Sequence, residues 1–147
     1  MAQPNGATRG VIRNREYATQ IRDFSGMQWN NVTPTDIDGF VEFWDEIFII
    51  VEAKHGHSTP PQGQLLALER LTDALEAGGK LSYCLLCSHN TSGDIDYASL
   101  PVTRYRFRKE WHTPITGISV ANMINFIRRC WWYPLEEMGS EKGVFTP

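Results

Sequence analysis

The chain reads as an α/β protein, a central mixed β-sheet flanked by helices. Three observations predict this. Ile47–Val51 is apolar without a break over the length of a strand, the pattern of a strand covered on both faces. Lys80–His89 (KLSYCLLCSH) is a second such run. Between them Gln62–Glu76 carries leucines at helical spacing, so strand, helix and strand follow in the order of a crossover between parallel neighbours.

Composition sets the outer bounds. A chain of 147 residues with 41% hydrophobic and 21% charged residues suits one soluble sheet-and-helix domain. That domain is expected over 13–134, between an N-terminal tail (1–12) and a C-terminal tail (135–147). The formal charge of −3 excludes a surface coated in positive charge but leaves room for a local basic stripe. No apolar run has the length of a membrane span, and the polar start MAQPNGATRG lacks the apolar core of a signal peptide. The expectation is a cytoplasmic protein with no membrane partner. Three cysteines make no disulfide framework. Cys84 and Cys87 have C-x-x-C spacing, but in a strand that spacing puts them on opposite faces, and no second pair completes a zinc site. They are expected to be reduced and buried.

Taken in order, Arg13–Asp23 reads as a helix with Tyr17, Ala18 and Ile21 on one face, broken near Gly26. Met27–Val32 reads as a short strand, with Trp29 expected in the core over the hairpin that follows. Thr33–Lys54 is that hairpin. Its first strand carries Asp36 and Asp38 and then Gly39–Phe43, a polar break falls at Asp45-Glu46, and the second strand ends in Glu52-Ala53-Lys54.

Alternation puts Glu52 and Lys54 on one side of that strand and Ala53 on the other. An antiparallel return brings an upstream acid beside them, and the shorter interval favours Asp38 over Asp36. Two carboxylates and an ammonium at one sheet edge suit a hard divalent cation: Mg²⁺ is usually held by one or two carboxylates with waters and substrate phosphate. A lysine beside them can hold an attacking water or offset charge on a phosphate. The rival reading is a polar hairpin with a chance Glu-x-Lys.

His55-Gly56-His57 reads as a loop, since two histidines without a further ligand make no metal set. Pro60 or Pro61 suits the start of the Gln62–Glu76 helix, whose inner face is expected to hold Leu65, Leu68, Leu71, Thr72 and Leu75 and whose end is set by Gly78-Gly79. Lys80–His89 is expected to run parallel to Ile47–Val51. In Val102–Lys109, Arg104, Arg106 and Arg108 share one face opposite Tyr105 and Phe107. With Lys109, Arg128 and Arg129 they set six basic residues against the single acid Glu110 between Val102 and Tyr133. Such a row either tracks a phosphate backbone or guards an exposed edge strand with charge. Ser119–Trp132 reads as a closing helix capped by Ser119, with Val120, Met123, Ile127 and Trp131 turned inward and Pro134 beyond its end. Trp131, Trp132 and Tyr133 suit packing or a dimer interface.

Asp38 followed by Val51-Glu52-Ala53-Lys54 resembles the catalytic core of the PD-(D/E)XK nuclease superfamily. The texture from TPTDIDG to QLLALERL is similar to small phage-encoded members. The proline in the superfamily's name does not immediately precede Asp38; Pro34 lies earlier. The resemblance implies a restriction-endonuclease-like core (αβββαβ) over roughly residues 13 to 90. It implies Mg²⁺, with Mn²⁺ as a substitute, held by Asp38, Glu52 and the Ala53 carbonyl, and Lys54 positioning water or phosphate. It also implies an acid from the preceding helix, matched by Glu16, and a glutamine from the following helix, matched by Gln64 before Gln62. The expected activity is hydrolysis of phosphodiester bonds, in DNA first and RNA as the alternative, by a homodimer if both strands of a duplex are cut. The competing class is a non-catalytic module on the same fold that binds nucleic acid or inhibits another protein.

Overall fold

The ladder is built on Ile47–His55 (β2), nine residues that continue through the apolar run into Glu52, Ala53 and Lys54. The computed structural model describes residues 14–131. Both tails, Arg13, Trp132, Tyr133 and Pro134 lie outside the described residues. The chain divides into two compact units, Met1–Thr35 and Asp36–Pro147, so the expected span 13–134 crosses a boundary at Thr35.

In the first unit the expected helix shrinks to one turn, Arg15–Ala18 (α1). Nothing on it is buried, Ile21 beyond it is 96% exposed, and Asn14 makes no side-chain cap. A helix with no apolar face to cover does not recover the cost of its first turn. The expected strand Met27–Val32 is likewise only an isolated bridge between Trp29 and Val32. Trp29 is 63% exposed, not core.

The second unit is α/β, a five-stranded mixed sheet in the order β1-β2-β3-β4-β5. Gly39–Phe43 (β1) runs antiparallel to β2, with Gly39 opposite Val51 and Phe43 opposite Ile47. The two acids therefore precede β1. Gln62–Ala77 (α2) crosses to Leu81–His89 (β3), which pairs with β2 in parallel from Ile47–Leu81 to His55–His89, as expected. A Schellman ending closes α2: Gly79 takes φ +84, the Lys80 N–H donates to the Leu75 carbonyl (3.0 Å) and the Gly79 N–H to that of Glu76 (2.9 Å). Val102–Phe107 (β4) and Glu110–His112 (β5) complete the sheet in antiparallel steps.

Each face of the sheet carries a core. On one, Ile47, Ile49, Val51, Tyr83, Leu85 and Cys87 meet Val120, Met123 and Ile127 of the closing helix Val120–Trp131 (α3). Ser119 caps α3 by accepting from the Asn122 N–H (3.2 Å). On the other, Ile50, Cys84 and Leu86 meet Leu68 of α2. Cys84 and Cys87 thus point to opposite faces as free buried thiols, both pushed up to about 12 by burial before any nearby charge. The stripe α2 buries is Gln64, Leu68 and Thr72, at intervals of four; Leu71, expected inside, lies off it and is exposed. Thr72 is satisfied by donating to the Leu68 carbonyl (2.8 Å). No helix among the described residues is long and apolar enough to cross a membrane.

Candidate active site

The β1–β2 register decides the site. Because Gly39 faces Val51, the residue before it, Asp38, comes level with Glu52. Asp38 Oδ2 accepts from the Ala53 N–H (2.9 Å), so a side chain continues the ladder one step past β1. Pairing on β2 then puts Glu52 on the α2 side of the sheet, with Ile50, and Ala53 on the α3 side.

Glu52 is only 1% exposed. Its Oε1 accepts from Lys54 Nζ (2.6 Å) and from Gln64 Nε2 (2.8 Å), and Gln64 also reaches the Asp36 carbonyl (3.4 Å). Oε2 is buried and has no hydrogen-bond partner. Burial pushes the Glu52 carboxyl above its ordinary value; the Lys54 hydrogen bond pulls it back, and the charges of Asp38 and Asp36 push it up again. The carboxyl thus has one oxygen shared between Lys54 and Gln64 and the other buried and unpaired.

The strand and helix therefore bring together Asp38, Glu52, Ala53, Lys54 and Gln64. Gln64 arrives because the first turn of α2 overlies the end of β2, and the helix presents it on its buried stripe. Asp36 contributes charge and a backbone carbonyl, while Asp38 holds the position level with Glu52. Glu16 belongs to the first unit, exposed on α1. Among the described residues no three His, Cys, Asp or Glu side chains converge on one point. The donor set on offer is two carboxylates and a backbone carbonyl: an N–H and C=O of one residue leave an extended strand on the same side, so Ala53 directs its carbonyl where its N–H meets Asp38. All are hard oxygen donors, the type a hard divalent cation takes, and Oε2 of Glu52 has no hydrogen-bond partner.

A cleft of about 570 Å³ opens next to this group. Lys54, Leu86, Ser88, Thr103 and Arg104 of β2, β3 and β4 line it, with His57–Pro60 of the β2–α2 loop and Gln62 and Leu65 of α2. A bulge shapes it. The β3–β4 register shifts between Leu86 and Cys87, so that Leu86 faces Arg104 while Cys87 faces Val102, and Thr103 is the extra residue. Its hydroxyl donates to the Leu86 carbonyl (3.1 Å).

The expected row of arginines does not exist as a row. Arg104 borders the cleft, its guanidinium 4.9 Å from the Trp111 ring centroid. Arg106 is buried in a bidentate pair with Asp73 of α2 (2.8 and 2.7 Å), which holds the Asp73 carboxyl below its ordinary range. Arg108 and Lys109 lie beyond the strand, at φ +51 and +63, as the two-residue turn into β5. Arg108 stacks over Phe107 and Trp131. Arg128 lies over Phe43, and it and Arg129 belong to α3, across the sheet from the cleft. No single basic face joins the six.

Sequence reasoning missed three features. His89 meets His55 at the paired ends of β3 and β2, rings edge to face at 5.3 Å, so a third histidine does lie near the loop. Tyr97, in the 3₁₀ turn Tyr97–Ser99, has its phenol pushed up to about 12 by burial and then by Asp38 and Glu52, so it lies within the field of the acids. The acids Glu69, Asp73 and Glu76 of α2 tie the helix to β4 and β5, through Trp111 Nε1 (2.6 Å), Arg106 and the Arg108 N–H (2.7 Å). Their spacing of four and three along one helix side was the available signal. Comparison with protein-family models, curated proteins and solved structures found no match.

Proposed function

We propose that the protein is a Mg²⁺-dependent nuclease with a restriction-endonuclease-like core, acting on DNA in the first instance. One observation carries this reading: a fully buried glutamate, level with a second carboxylate, gives one oxygen to a lysine and a glutamine and leaves the other without a partner. A structural ion pair gains nothing from that unmet oxygen, whereas a cation-binding carboxylate requires it. The hairpin, the α2 crossover and the parallel β2–β3 pair support the core assignment. The first strand of an αβββαβ order is not formed among the described residues, since Trp29 and Val32 make only an isolated bridge within the first unit.

Asp38, Glu52 and the Ala53 carbonyl would hold the metal. A divalent cation held there supplies Lewis acidity, making water a better nucleophile near neutral pH and offsetting charge that develops on the phosphate. Lys54 keeps its ammonium at the edge of the group, 26% exposed, where it can orient a water or a phosphate oxygen. Gln64 fixes the Glu52 rotamer from the rear. Asp38 is set in place by the Ala53 N–H.

The test is cleavage of linear, circular and single-stranded DNA and of RNA, with Mg²⁺, Mn²⁺ or EDTA, beside Asp38→Ala and Lys54→Ala. Metal-dependent cleavage lost in both variants, with binding retained by Lys54→Ala, is expected. Intact substrates under every condition would leave the non-catalytic binding module as the better reading.

A further inference from the structure

The lining of the cleft beside Lys54 divides by chemistry. Lys54 and Arg104 border it, one on β2 and one on β4, with the hydroxyls of Ser58, Thr59, Ser88 and Thr103 between. His57 and Gln62 add an imidazole and an amide, and Pro60, Leu65 and Leu86 supply an apolar part of the wall. The outer surface of a duplex offers phosphates and groove edges but no base faces, because those are stacked inside. The apolar part of the wall therefore has no base face to pack against on a duplex. An unpaired nucleotide presents both a phosphate and an apolar ring face, and proteins that bind single strands pair a positive groove with surfaces on which bases pack. The volume agrees, about 570 Å³ being of the size that holds a small ligand and not a double helix.

Two features show that Arg104 is set for this role. Arg106, two residues on, is occupied by Asp73, so Arg104 is the one arginine of β4 facing the cleft. It is also steadied, since it lies over Trp111, whose indole N–H is anchored on Glu69 Oε1 (2.6 Å). A guanidinium over an aromatic ring can still direct its donors to a phosphate.

We infer that this cleft seats one unpaired nucleotide next to the reacting phosphate, its base against Leu65 and Leu86 and its phosphate at Arg104, so that the substrate is single-stranded nucleic acid. The inference rests on the nuclease reading for its reacting phosphate, but binding can be read without cleavage. The experiment is fluorescence anisotropy in EDTA with short labelled single-stranded DNA, the same sequence as RNA, and a blunt duplex, followed by cleavage of the same molecules in Mg²⁺.

Wild-type protein is expected to bind a single strand about tenfold or more tighter than the duplex, the order of one well-packed base. Arg104→Ala should weaken binding of the single strand about tenfold, the order of one charge-assisted phosphate contact, while Arg129→Ala, which deletes the same charge across the sheet, should not. Tighter binding of the DNA or of the RNA strand identifies which sugar the cleft takes. Equal affinity for strand and duplex, or equal losses in the two variants, would overturn the inference. If the duplex is also cut in Mg²⁺, the nuclease reading survives that failure. Strand-selective binding that depends on Arg104, with no cleavage of any substrate, would keep the cleft assignment and sink the enzyme.

Discussion

Glu52→Gln is the most informative single change, because it alters charge without altering shape. The amide oxygen can take over both bonds that Oε1 accepts, from Lys54 and Gln64. The amide nitrogen then occupies the place of Oε2, where no partner waits. An unmet neutral amide donor costs about 1–3 kcal/mol, whereas a buried ion costs several kcal/mol in desolvation, here offset in part by one lysine. The balance favours the variant, by about 1 kcal/mol near neutral pH without metal. The pH dependence follows from the raised Glu52 value. A group whose pKa is raised on folding contributes stability that is complete below its unfolded value, near 4.5, and is lost as pH rises through the folded value. Wild-type protein should therefore lose stability over that rise while the variant does not, and their difference should vanish toward pH 4.5. Under the proposed function, metal should reverse the ranking. Mg²⁺ at ten times its dissociation constant adds about 1.4 kcal/mol to the protein that binds it, a Tm rise of roughly 3–6 °C for a chain of this size, and nothing to the variant. Urea denaturation across pH in EDTA, with thermal melts over a Mg²⁺ series, measures all three quantities. A variant about 3 kcal/mol less stable in EDTA, alongside a wild type indifferent to Mg²⁺, would refute the reasoning and make Glu52 a structural anchor.

Other consequences are smaller in scope. Asp73→Asn should cost about 1–3 kcal/mol by removing the bidentate charge partner of the buried Arg106, which keeps only the longer contact to Glu69 (3.8 Å). Because pairing holds the Asp73 pKa down, that stability is present above the ordinary 3.8 and fades as pH falls through the lowered value, so denaturation curves of variant and wild type should converge in acid. Leu68→Ala, at the centre of the core between α2 and the sheet, should cost about 2–5 kcal/mol in urea. Thiol titration of native protein should find Cys130 reactive and Cys84 and Cys87 silent until denaturant is added, with a Tm unchanged by reductant.

The parts of the fold that could be read in advance are those where one local period governs. Period two along β2 put Glu52 and Lys54 together, and the hairpin interval brought Asp38 level with Glu52. Gln64 was indicated only by the resemblance, not by spacing, and the first turn of α2 brings it to Glu52 (2.8 Å). Local period failed where nothing was buried to enforce it, as in α1, whose face of Tyr17, Ala18 and Ile21 meets no core. The strand β5 was missed for a different reason. Its turn is made by Arg108 and Lys109 in left-handed conformations, without the Asn-Gly or Asp-Gly that marks such hairpins.

The arginines of β4 show why charge alone did not predict a surface. Alternation correctly put Arg104 and Arg106 on the face opposite Tyr105 and Phe107, but what each does there depends on groups far away in sequence. Asp73 takes Arg106 out of solvent, and the turn takes Arg108 out of the strand. The bulge at Thr103 then lets both Thr103 and Arg104 border the cleft, where strict alternation would have sent Thr103 to the opposite face. A row of three positive charges becomes one internal tie, one turn residue and one cation at the cleft. A continuous row fits a long stretch of duplex backbone. Arg104 and Lys54 at the rim of a small, partly apolar cleft fit the single phosphate and unpaired base inferred above, so the loss of the expected row narrows that proposal instead of removing it.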